Sequence, residues 1–169
     1  MRCLGHVRNR EHDGLFVILC DSAARFGGWD EHGETLADEG SMELDLGGLR
    51  AFVEEAHGSG SHELHRSEDG TLWLLAPIEE GVRRIPVDQL ESAERTEVIE
   101  MGVVDVPSRV LTIALAYPPL NTTTQGDHAG VTHGDGERLD VMEVAEVLVV
   151  TREFTADGGQ VVALRPMAG

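Results

Sequence analysis

Apolar residues in this chain come in short runs separated by polar and turn-forming residues. Gly14-Leu-Phe-Val-Ile-Leu-Cys20 lies between Asp13 and the pair Asp21-Ser22. A continuous apolar run of that length reads as a central strand buried on both faces. Ser41–Leu46 instead alternates, which puts Met42, Leu44 and Leu46 on one face of a half-buried strand. Residues 63–66 and 71–76 flank Ser67-Glu-Asp-Gly70, a hairpin signal. Further strands are expected at 82–87, 97–106 and 109–117. A Val-rich one is expected at 139–154, turned by Ala156-Asp-Gly-Gly159 into a closing strand at 160–165.

Two segments read as short helices. Over 48–57, Leu49, Phe52, Val53 and Ala56 fall at helical spacing, with Glu54 and Glu55 outward. Asp88 is placed to N-cap a second helix running to Glu94. The expected fold class is therefore α+β: a mainly antiparallel, strand-rich single domain over residues 1–169 with two short helices. A mobile N-terminal arm, 1–12, and a long polar loop, 118–137, complete the expected organisation. Aromatic residues are only 4% of the chain, so the core must be built from Val, Leu, Ile and Ala.

All 13 basic residues are arginine, against 31 Asp and Glu, for a formal net charge of -18. A field of that sign repels phosphate backbones and anionic surfaces, so neither a nucleic acid nor a membrane is expected as a partner. The absence of lysine excludes Schiff-base chemistry of the pyridoxal-phosphate and class I aldolase kind, and removes the usual P-loop and kinase phosphate clamps. No apolar run reaches the roughly 18 residues of a membrane span, and the first residues lack the apolar segment of a signal peptide. The expected location is the cytoplasm, with Cys3 and Cys20 as reduced thiols and Cys20 acting as a small buried hydrophobe.

Two functional readings follow. In the first, the arginine-free acidic stretch with Asp30, Glu31, Glu34, Asp38, Glu39 and Glu43 forms an interaction face for a basic protein. The chain is then a small acidic cytosolic interaction module, an inhibitor, immunity-type or assembly factor working by charge and shape. It has no catalytic residues and is not an enzyme. Gly102-Val-Val-Asp-Val-Pro107, with the strand at 110–117 and Pro118-Pro119, resembles segments of small bacterial immunity proteins that neutralise toxins. That resemblance spans under a fifth of the chain and implies a non-enzymatic role.

In the second reading, loop 127–135 folds back so that His128 and His133, with Asp127 or Asp135, bind a divalent metal; the chain is then a metal-binding domain or metal-assisted enzyme. No other cofactor is expected. The remaining clustered histidines, His57, His62 and His65, are expected to be solvated. On a strand, the odd separation of His62 and His65 sends them to opposite faces. Cys3 and His6 are close in sequence but lie on an end expected to fray.

Overall fold

The computed structural model describes residues 1–9, 16–24, 41–55, 60–76, 83–116 and 138–167. The strands are β1 (Arg2–Asn9), β2 (Phe16–Asp21), β3 (Ser41–Leu46), β4 (Leu49–Glu55), β5 (Gly60–Arg66), β6 (Leu72–Leu75), β7 (Arg95–Asp105), β8 (Leu111–Ala116), β9 (Arg138–Val141), β10 (Val147–Thr155) and β11 (Gln160–Pro166). They form two antiparallel sheets. One is six-stranded, in the order β1-β5-β6-β11-β10-β7; the other is five-stranded, in the order β3-β4-β2-β8-β9.

The main core lies between the sheets. Val7, Leu64, Leu72, Leu74, Leu148, Val150, Val162 and Leu164 from the first sheet meet Val17, Leu19, Phe52, Leu111, Ile113 and Val141 from the second. The opposite face of the five-stranded sheet is also buried, at Ile18, Cys20, Leu44, Leu46, Ala51, Val53 and Ala114. The outer face of the six-stranded sheet is covered where Ile85 and Leu90 pack on Trp73, Leu75, Val161 and Ala163. Two covered faces explain why β2 reads as an unbroken apolar run: Val17 and Leu19 enter one cluster, Ile18 and Cys20 the other. The two sheets are also tied at their margins. Buried Asp21, ending β2, accepts from the Ser108 N–H at 2.9 Å and the Ala23 N–H at 2.8 Å. Arg152 of β10 pairs with Glu54 of β4.

The structure overturns the expected helices: among the described residues there is no α-helix. Residues 49–55 are strand β4, paired with β2 and β3. The spacing of Leu49, Phe52 and Val53 imitates a helix because β4 is buried on both faces, Phe52 toward one cluster and Ala51 and Val53 toward the other. The decisive local signal is Gly47-Gly48. Both carry positive φ, 69° and 94°, in a two-residue connection between Leu46 and its partner Leu49, with the Gly48 N–H donating to Asp45 Oδ1 at 2.6 Å. That is the demand of a tight hairpin turn.

The second expected helix is a single 3-10 turn, Val87–Gln89; its capping position is Pro86, and no side chain caps it. Of the strand expected at 82–87, the described residues 83–87 provide one isolated bridge, Arg84 to Gln160. Segment 139–154 divides into β9 and β10, with Glu143 at φ 57° in the break. The hairpins β5–β6 and β10–β11 form where expected. Arg2–Asn9, placed in an arm by the sequence, pairs along its length with β5.

Candidate metal centre

β1 and β5 bring chemistry together at one margin of the six-stranded sheet. His62 and His65 point to opposite faces of β5, as the odd separation requires, but both are buried at 6% exposure rather than solvated. His62 lies opposite Val7, a residue of the main core, so it points inward. His65 lies opposite Trp73 and Glu63 opposite Leu75, so both side chains project from the outer face.

The β1 ladder carries a bulge that decides what faces them. From Asn9 to Gly5 the register is regular, ending with Gly5 opposite Leu64. Continued, it would set Leu4 opposite His65. The register shifts between Cys3 and Gly5, so Cys3 takes that place while Leu4 packs against the main core. Gly5 sits at φ 149°, a conformation that disfavours any side chain. A bulge that re-aims one residue is a recurrent device next to functional sites.

The result is a thiol, a carboxylate and an imidazole, from Cys3, Glu63 and His65, whose ligating atoms all lie within 4.8 Å of one another. His65 Nε2 and Glu63 Oε1 are 3.2 Å apart. Metal bonds of about 2.1 Å would put two tetrahedral donors about 3.4 Å apart, so this pair is already at ligand spacing. The Cys3 side chain is exposed and free to turn inward. The second Glu63 oxygen accepts from Arg84, which holds the carboxylate in position. Burial pushes the Glu63 carboxyl up, but the hydrogen bonds from Arg84 and His65 outweigh it and hold it below the usual carboxylate range. The carboxylate is thus held in its charged form by those two partners. His6 lies directly opposite Glu63 on the same outer face and is exposed.

A cleft of about 610 Å³ lies further along the same face, with Trp73, Arg95, Glu153 and Arg165 among its lining. Three of its charges, Arg95, Glu153 and Arg165, are committed to each other. Glu153 accepts from Arg95 Nε at 2.9 Å, Arg165 Nη2 at 2.7 Å and Thr151 Oγ1 at 2.8 Å. Both guanidiniums lie over the Trp73 ring, at 5.7 and 4.9 Å from its centroid. Arg95 also donates to the carbonyls of Leu90 and Ala93, which fastens segment 87–95 to the sheet.

The residues singled out from sequence fare differently. Asp30, Glu31, Glu34, Asp38 and Glu39 of the acidic stretch lie outside the described residues, as do Asp127, His128, His133 and Asp135. Glu43 joins β3 to β7, since its Oε2 accepts from the Val103 N–H at 2.8 Å. Sequence reasoning missed the cluster because its members are separated by some 60 positions and meet only through strand pairing. The available signal was the pair Glu63-x-His65, which shares one face of a strand. No helix among the described residues is long and apolar enough to cross a membrane. Comparison with protein-family models, curated proteins and solved structures finds no match to this chain.

Proposed function

We propose that this protein is a metal-binding domain whose centre is formed by Cys3, Glu63 and His65. The observation that carries the reading is the convergence of three different donor types within 4.8 Å on neighbouring strands. A thiolate with imidazole and carboxylate favours a borderline ion of the zinc class over magnesium or calcium, which prefer oxygen alone. Three protein ligands leave the fourth position of a tetrahedral ion to water or to another ligand. The proposed setting is a reducing cytoplasm, where Cys3 stays a thiol and loses its proton to the incoming metal.

Equilibrium dialysis of the full chain against zinc, followed by elemental analysis, tests this. Wild type is expected to retain one ion per chain, and Cys3→Ser and His65→Ala to retain none after the same wash. Retention by Cys3→Ser equal to wild type would remove the reading.

A further inference from the structure

The geometry points to a second, independent site of action: the open edge formed by the first half of β7, fitted to pair with an extended segment of another protein that carries basic residues. β7 is the last strand of the six-stranded sheet and is 11 residues long. Its second half is covered from the five-stranded sheet. Glu43 takes the Val103 N–H at 2.8 Å, and Asp105 accepts the Arg50 N–H at 2.8 Å and both arms of its guanidinium at 2.9 Å. Among the described residues its first half has no such cover. Thr96, Glu97, Val98, Ile99 and Glu100 are all exposed, Val98 at 54% and Ile99 at 39%. On one side the segment pairs with β10; among the described residues no strand pairs with the other side. An uncovered edge of this kind is a template for strand addition.

The side chains specify the occupant. Val98 lies opposite Glu153 and Ile99 opposite Arg152, so the two aliphatics project from opposite faces. Glu100 shares the face of Val98, and Glu97 that of Ile99. Each face of the edge therefore presents one aliphatic and one carboxylate. The one arginine of the segment, Arg95, is already bound to Glu153. An added strand matches this pattern when it reads basic–apolar–apolar–basic, with its apolar pair against Val98 and Ile99 and its cations against Glu97 and Glu100. A second copy of this chain does not fit in the register that joins the two aliphatics of each edge. Antiparallel pairing of two β7 edges that sets Val98 against Ile99 also sets Glu97 against Glu100 at both ends, and like charges directly opposite destabilise a ladder. Nowhere does this chain contain a basic–apolar–apolar–basic run. The net charge of -18 adds long-range attraction for a basic partner.

The test uses two synthetic peptides of identical composition and charge, one with the core Arg-Val-Ile-Arg and one with Val-Arg-Arg-Ile. Non-specific attraction to an acidic protein treats them alike; the edge does not. Wild type is expected to bind the first about tenfold more tightly, with amide chemical-shift changes concentrated at 95–101. The double variant Glu97→Arg, Glu100→Arg is expected to lose that preference and to favour a Glu-Val-Ile-Glu peptide instead, with an unchanged thermal melt because both side chains are exposed. Equal affinity for the two matched peptides, no binding to either, shifts centred on another edge such as β3, or self-association of the protein through β7 would each overturn the proposal.

Discussion

At the scale of single residues, Glu153 is the most consequential charge in the fold. Its side chain is 2% exposed and it holds two arginines and a threonine hydroxyl. Burial pushes its carboxyl up, but hydrogen bonds from Arg165, Arg95 and Thr151 pull it down further, so it ends below the usual range. A carboxyl depressed in the folded state stabilises the fold at every pH above its unfolded value, about 4.3. That contribution is lost as pH falls through the folded value. Glu153→Gln should therefore cost about 3 kcal/mol in urea unfolding at neutral pH, because Arg95 is left buried without its counter-charge. The variant's stability should also decline less steeply than wild type below about pH 4.5. Parallel pH curves for the two proteins would show that Glu153 carries no linked proton. None of this was visible in the sequence, where Glu153 is one of 31 acids and its arginines lie 58 positions before it and 12 after.

At the scale of elements, two glycine devices set where strands begin and what they face. Gly47-Gly48 turns β3 into β4, and a Cβ at either position would meet nothing within 4 Å. The cost of substitution is then purely conformational: Gly48→Ala, at φ 94°, should lower stability by about 1–2 kcal/mol. Gly47→Asn should cost less than about 0.5 kcal/mol, since asparagine tolerates the left-handed region at φ 69°. Chemical denaturation of both variants distinguishes this from a packing role, which would penalise the larger side chain more. The Gly5 bulge is tied to the site rather than to the turn. Gly5→Ala should reduce zinc affinity about tenfold by turning Cys3 away from Glu63 and His65, although none of the three is itself replaced; equal affinity would show that the bulge does not aim Cys3. Strands were legible wherever the period was two or the run unbroken, as in β2 and β3. The helix expected over 48–57 failed because a strand buried on both faces has no polar stripe, and four apolar positions in eight can satisfy either period.

At the scale of the whole molecule, the strand-rich antiparallel character was legible, since it follows from short apolar runs and glycine turns. The division into two sheets was not. It depends on β7 joining one sheet and β8 the other, although a short Pro107-Ser108 turn links them and suggests a hairpin. The candidate cluster of Cys3, Glu63 and His65 was illegible for the same reason: residues of β1 and β5 meet only once the first strand is docked on the fifth. Its central claim, that Cys3 contributes sulfur to a bound ion together with His65 and Glu63, is tested most directly by cobalt(II) titration followed by visible and near-ultraviolet absorption. The wild-type protein should show a thiolate-to-cobalt charge-transfer band and the intense d–d absorption of a tetrahedral ion, saturating at one equivalent, and Cys3→Ser should lose the charge-transfer band. A wild-type spectrum without a thiolate band, or one that Cys3→Ser reproduces, would contradict it.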